Sequence, residues 1–220
     1  MTDTYPLSEA TRLKRHPERG SYDRVVVHAI LDEALVCHLA YAHDAGVFAM
    51  PTVFVRDGDT LYVHGASANR SLDALIEGAP FSLTVTLIDG VVFARSAFRH
   101  SMNYRSVIIL GRVREVSERH DKRAAMARLV DRLSVGRDAT LRPMRDAEID
   151  ATRVLAIEIE HASAKVRNGG PVEPVDDRAH PVWAGVVPLR TVAGAPVPDG
   201  AAESFAAPPV PACFGPGAAG

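Results

Sequence analysis

Cysteine is scarce in this chain, as are tryptophan, charge of one sign and long apolar runs. Two cysteines stand among 220 residues, Cys37 inside an apolar stretch and Cys213 near the end. Two residues so placed give neither a metal-ligand spacing nor a disulfide framework, and they fit a reducing compartment. With 25 Lys and Arg against 27 Asp and Glu, the formal charge is −2. That balance argues against a nucleic-acid partner and against an acidic solvating tail. The opening stretch MTDTYPLSEATRLKRHPERG lacks the apolar core of a signal peptide, and no run is long enough to span a membrane. A cytoplasmic protein with no membrane partner is therefore expected. What is present is ordinary for a soluble globule: 47% apolar and 24% charged residues, enough for one sizeable core.

Three regions follow from composition. Residues 1–22 are polar, contain Pro6 and Pro17, and read as an arm lying on the surface or on a partner. Residues 23–190 carry regular patterning. Residues 191–220 are rich in Ala, Pro and Gly with almost no periodic apolar face, so a mobile or draped tail is expected. Within the regular region, DRVVVHAILDEA opens with Asp23 as an N-cap and repeats apolar residues at helical spacing. RSLDALIEG and ERHDKRAAMARLVDRLS are further helices, the second with a stripe of Ala125, Met126, Leu129, Val130 and Leu133. Six runs read as half-buried strands: ALVCHLAYA, AMPTVFVRDG, DTLYVHGA, PFSLTVTLIDG, NYRSVIILGRVREV and RVLAIEIEHAS. RDGDT at 56–60 is a hairpin signal. Few connections are long enough for helical crossovers, so the fold expected is mainly β: a closed, six-stranded antiparallel barrel with few helices.

Three stretches carry more polar chemistry than their elements require. In VHGASANRSLDAL, a strand delivers His64 and Gly65 to its end, Ser67 or Asn69 can cap the next helix, and Arg70 and Ser71 add donors beside unpaired backbone N–H groups. An arginine, hydroxyls and a helix start together suit a phosphate; the competing reading is a solvated arginine beside a routine cap. In RSAFRHSMNYRSVIILG, His100, Asn103, Tyr104 and Ser106 could present donors and a ring to one ligand, with Tyr104, Ser106 and Ile108 on one strand face and Arg105, Val107 and Ile109 on the other. A solvated edge or a subunit contact is the alternative. In SAKVRNGGP and PVWAGVVPL, Lys165 and Arg167 share a side, Gly169 and Gly170 turn the chain, and Trp183 could lie on a flat ligand. Core packing is the default for a lone tryptophan. In LSVGRDATLRP, Gly136 and Arg137 read as a helix end.

Taken in order, PTVFVRDGDTLYVHGASANRSL, TVTLIDGVVFARSAFRHSMNYRSVIILGRV, SAKVRNGG and VWAGVVPL resemble the pyridoxamine 5′-phosphate oxidase-related superfamily. More narrowly, they resemble its flavin-nucleotide-binding branch, which includes Nim-type nitroimidazole-resistance reductases. The likeness spans roughly Arg15 to Leu189. It implies a split β-barrel, a homodimer, and FMN bound between subunits. The oxidases' phosphate-binding Ser-Arg-Lys falls on Asn69, Arg70 and Ser71, so the lysine is missing and Lys165 or Arg167 would have to replace it. Met50, Pro51 and Thr52 stand where an arginine opens the strand that touches the isoalloxazine. Arg105 and Ser106 resemble the Arg-Gln of the dimer-related strand, and Trp183 with Ala184 and Gly185 resembles the Trp-Gly. The B6-substrate residues of the true oxidases have no counterpart, which implies a relative rather than that enzyme.

The resemblance implies an FMN-dependent oxidoreductase acting on a small molecule, nitro compounds among the possibilities, with NADH or NADPH as electron donor. Lys165, Arg105 or His100 could stabilise a reduced, anionic ring, and His64 could donate a proton to substrate near neutral pH. Two alternatives stand beside it: a flavin-binding carrier or sensor, and a haem or deazaflavin barrel, in which His38, His64 or His100 would serve haem as axial ligand.

Overall fold

A computed structural model of the chain describes residues 3–202, 204–211 and 214; Cys213 lies outside them. The chain falls into two compact units. One takes residues up to Ala34 together with Thr84–Ile109 and Glu160–Arg190; the other takes Leu35–Leu83, Leu110–Ile159 and the segment from Thr191 onward. The elements in chain order are β1 (Gly20–Ser21), α1 (Arg24–Glu33), β2 (Val36–His43), β3 (Gly46–Asp57), β4 (Thr60–Ala66), α2 (Arg70–Ile76), β5 (Phe81–Phe93), β6 (Ser101–Glu115), α3 (Arg119–Leu133), α4 (Asp146–Asp150), β7 (Thr152–Arg167) and β8 (Gly185–Pro188). The sheet runs β1-β7-β4-β3-β2-β5-β6, and a β7–β6 pairing closes a ring of six strands. This is the expected antiparallel split barrel, with β1 and β8 as short additions on β7 and β5. Two-residue β1 and four-residue β8 are too short to show alternation in a sequence. Among the described residues no helix is long and apolar enough to cross a membrane.

In the first unit, α1 forms where it was expected. Asp23 accepts a hydrogen bond from Val25 N at 2.7 Å, and Val27, Ile30 and Leu31 turn one stripe inward. The N-terminal arm is anchored to this helix. Tyr5 is buried, its N–H donates to Tyr22 O at 2.8 Å, and its hydroxyl meets His28 Nε2 at 2.8 Å. Val92, Val107, Ile109, Ala162 and Ala164 complete this core.

In the second unit the Asp-Gly turn joins β3 to β4, with Gly58 at φ 60°, a conformation that glycine adopts without penalty. Leu39, Phe54, Leu61, Val63, Leu72, Leu155 and Ile157 form the buried interior. A smaller cluster of Val116, Ala125, Val154 and Ala156, with Tyr62 and Met126 packed on it, seats α3 on the sheet. The helix ends at Ser134, and Gly136 follows at φ 74°, the helix end that Gly136 announced.

Candidate functional site

The second unit holds the residues of the first candidate stretch. β3 pairs with β2 along its length, His38 opposite Pro51 and Leu39 opposite Met50. Its pairing with β4 covers only Phe54–Asp57. Met50, Pro51 and Thr52 therefore lie on a stretch of β3 whose second edge has no strand partner among the described strands, and most of this stretch is exposed. Proline is tolerated in a strand at such an edge.

At the far end of β4 the chain turns into α2. Asn69, rather than Ser67, is the cap, and its Oδ1 accepts from Ser71 N at 3.0 Å. Leu72 N and Asp73 N return to Asn69 O at 3.0 and 3.2 Å. The Ser71 hydroxyl is also engaged, accepting from the Tyr41 hydroxyl at 2.8 Å. Several donors expected for an anion are thus used within the chain. Arg70 and Ser67 are exposed, and no ion pair engages the Arg70 guanidinium among the described residues, so it is open to an anion. Asp73, one turn on, is neutralised by Arg153, which also meets Glu115 at 3.2 Å. Gly65 is small for a local reason: a Cβ there would lie 3.0 Å from Asn69 Nδ2 and 3.0 Å from Leu72 Cδ1.

His64 alternates with Leu61 and Val63, which enter the core, and shares the other face of β4 with Tyr62. Opposite it on β7 is Val154, a fully buried member of the apolar cluster under α3. The ring is half-buried, its Nδ1 has no hydrogen-bond partner among the described residues, and burial holds its pKa below the usual 6.5.

The first unit holds the other two stretches, and it separates residues that were grouped. Asn103 is buried on the face of β6 that also carries Arg105, Val107 and Ile109, whereas Tyr104 and Ser106 face the other way. Asn103 cannot join Tyr104 and Ser106 on one ligand, because odd and even strand positions point to opposite sides. Arg105 is clamped by two carboxylates. Its Nε and Nη2 donate to Asp89 at 3.0 and 2.7 Å, and Nη2 and Nη1 both reach Glu33, the former at 2.8 Å. These bonds, Glu33 first, push its pKa further upward. Arg167 is buried and spends its fork on Asn103 Oδ1 and on the carbonyls of Gly169 and Gly170, at 2.7 and 2.8 Å for the carbonyls. It pins the Gly169-Gly170 segment that follows β7, where the turn expected from the sequence is not formed. Lys165 is half-buried, opposite Gly20, and engages no carboxylate among the described residues. Its backbone carbonyl accepts from Ser106 Oγ at 3.4 Å. His100 is exposed, with Nδ1 donating to Ser96 O at 3.0 Å. Trp183 is not core: it is 63% exposed, its ring 6.0 Å from Phe93 and folded over Gly185, where a Cβ would lie 2.8 Å away. A short edge strand offers the indole no interior to enter. Phe93 meets His100 edge-on at 5.7 Å, an aromatic group that the sequence signalled only through Trp183 and His100.

Residues 23–166 match the family described as pyridoxamine 5′-phosphate oxidase. The chain belongs to the pyridoxamine 5′-phosphate oxidase-like family. Among solved structures of this fold it resembles the flavocytochrome Anf3 from Azotobacter vinelandii, with 39% identity over 94% of this chain and 95% of that one and a TM-score of 0.85. It also resembles the FAD and heme binding protein from Mycobacterium smegmatis, with 37% identity over 89% of this chain and 95% of that one and a TM-score of 0.80. A putative 5-nitroimidazole antibiotic resistance protein from Bacteroides thetaiotaomicron shares the fold alone, at 18% identity over 67% of this chain and 86% of that one, TM-score 0.58. No curated protein matches the sequence.

Proposed function

We propose that this family member is a flavin-dependent oxidoreductase that also carries a haem. The observation that carries the reading is the likeness, across about nine-tenths of the chain, to two proteins named for a flavin together with a haem. Bound flavin supplies hydride or single-electron transfer. The chain's part is anchoring and placement. In the second unit Arg70 is the cation available to a flavin phosphate, and the open edge of Met50–Thr52 offers backbone groups to a planar ring. In the first unit Lys165 is a cation without a carboxylate among the described residues, while Arg105 and Arg167 are committed to their own neighbours. FMN is the flavin implied by the sequence resemblance; FAD is the second reading, favoured by the name of the M. smegmatis relative.

The first test is the visible spectrum of freshly purified protein, followed by separation of the flavin released on denaturation. Flavin and Soret bands together support the reading, and a colourless protein that refuses both added flavin and haemin refutes it. Rapid-mixing reduction with NADH or NADPH then separates an oxidoreductase from a carrier or sensor. Sedimentation equilibrium tests the homodimer that the family resemblance implies.

A further inference from the structure

We infer that the C-terminal tail and the turn after α3 form a binding site for a small aromatic carboxylate, built from none of the residues assigned above to the flavin. A cavity of about 700 Å³ lies in the second unit, with Arg137 and Thr140 on one side and the tail segments 196–198 and 205–208 on the other. That volume is typical of sites for small molecules. The tail returns on itself around it, Ala193 N donating to Phe214 O at 3.3 Å and Phe214 N to Pro211 O at 2.9 Å.

The polar side of the cavity follows from the end of α3. Gly136 stops the helix at φ 74°, and the chain then makes one 3-10 turn over Asp138–Thr140. Thr140 N donates to Arg137 O at 3.0 Å, and residues three apart in such a turn eclipse one another. Arg137 and Thr140 are therefore presented side by side, with Arg137 Nη1 3.4 Å from Thr140 Oγ1. The guanidinium is exposed and in no ion pair among the described residues. Acids close by in the sequence are used locally: Asp131 accepts from Asp138 N at 2.9 Å, and Asp199 from Ala201 N at 3.3 Å. Among the described residues no carboxylate lines the cavity, so an anion there meets an unopposed cation with a planar fork of donors.

The facing wall has the opposite character. Pro196, Pro198 and Pro208 bring no N–H donor and a fixed φ, so the wall is set before a ligand arrives and little ordering has to be offset. Val197 and Phe205 line the same cavity as exposed apolar side chains, and apolar groups gathered uncovered on a concave surface mark a binding site. The wall calls for an apolar body, the Phe205 ring for a flat one, and Arg137 for a negative end. An aromatic ring with a carboxylate has all three, and its planar head matches the guanidinium fork.

The test titrates the full-length protein by calorimetry with 2-naphthoate and with naphthalene-2-carboxamide, a neutral ligand of the same body. Wild type should bind one naphthoate per chain and the carboxamide at least about tenfold more weakly, the factor that one charge-assisted hydrogen bond supplies. Arg137→Gln should lose this preference and keep the carboxamide affinity, whereas Phe205→Ala should weaken both ligands. Melting temperature and flavin content should stay near wild type in both variants, because both side chains are exposed. Arg70→Ala should bind naphthoate as wild type does. The assignment is overturned if wild type binds no naphthoate or binds the two ligands equally, if the preference survives in Arg137→Gln, or if Arg70→Ala abolishes binding. None of these results bears on the flavin and haem reading, which the visible spectrum decides.

Discussion

Arg167 and Arg70 were both candidates for an anion, and the structure gives them different work, which a pair of substitutions can separate. Arg167 is 7% exposed and donates to the Asn103 side chain and to two consecutive glycine carbonyls. Hydrogen bonds involving a charged group contribute about 1.5–3 kcal/mol each, and an acceptor left buried without a donor costs about 1–3 kcal/mol. Against this, Arg167→Ala relieves the desolvation that holds the guanidinium pKa below its usual value, and neighbouring contributions do not add. A net loss of about 2–4 kcal/mol remains. For a chain of this size each kcal/mol moves the melting temperature by about 2–4 °C, so Arg167→Ala should melt about 4–16 °C lower. Arg70 is exposed, with no ion partner among the described residues, so Arg70→Ala should change stability by no more than about 0.5 kcal/mol. If Arg70 meets the phosphate, the same change should weaken flavin binding by about tenfold or more, the equivalent of one charge-assisted hydrogen bond. Thermal melts of the flavin-free proteins and flavin fluorescence titrations read both quantities. The reasoning fails if Arg167→Ala melts with wild type and binds flavin weakly, or if Arg70→Ala destabilises while leaving affinity untouched.

Asn69→Ala removes the α2 cap and its bond to Ser71 N, and should cost about 1 kcal/mol in denaturant unfolding. In a Cys213→Ser background, Cys37 should stay unreactive toward Ellman's reagent at pH 8 in the native protein and react on unfolding, because burial holds its pKa at about 12. His64 has a folded pKa below 6.5, so between that lower value and 6.5 the unfolded chain binds more protons. Stability of the cofactor-free protein should therefore fall as pH drops through this window. The dependence of melting temperature on pH should be shallower in His64→Gln.

The elements legible in the sequence are those specified by local rules. Asp23 with Val27, Ile30 and Leu31 satisfies both capping and helical spacing, and α1 forms there. Asp57-Gly58 demands a turn, and β3 and β4 meet at it. The stripe expected on α3 fades at its end, where Ala125 and Leu129 are buried but Leu133 is 46% exposed. Long-range partners were not legible. An arginine on the inward face of a strand announces that it needs carboxylates, but nothing local says that Glu33 and Asp89 supply them to Arg105. Tertiary pairing decides this, and a separation of 72 positions between Arg105 and Glu33 carries no periodic signal of it.

The candidate residues are legible in a different sense, because each departs from what its element wants. Pro51 sits in a strand, where a missing N–H is tolerated only if one edge is unpaired, and that edge has no partner among the described strands. Val47, 81% exposed, and Phe48, 43% exposed, stand on the same open run, and an apolar run on a free edge is a liability unless something covers it. His64 places a polar ring beside an apolar cluster with its Nδ1 unpartnered, and Arg70 leaves a cation unpaired at a helix start, both among the described residues. Sequences that fold well keep local choices consistent with the whole and break that consistency mainly where function requires it. Here the departures gather on β3, β4 and the start of α2 in one unit. In the other, Arg105 and Arg167, which look equally anomalous in the sequence, are answered by carboxylates and carbonyls of that unit. What distinguishes a binding residue from a structural one in this chain is therefore whether the fold itself supplies the partner.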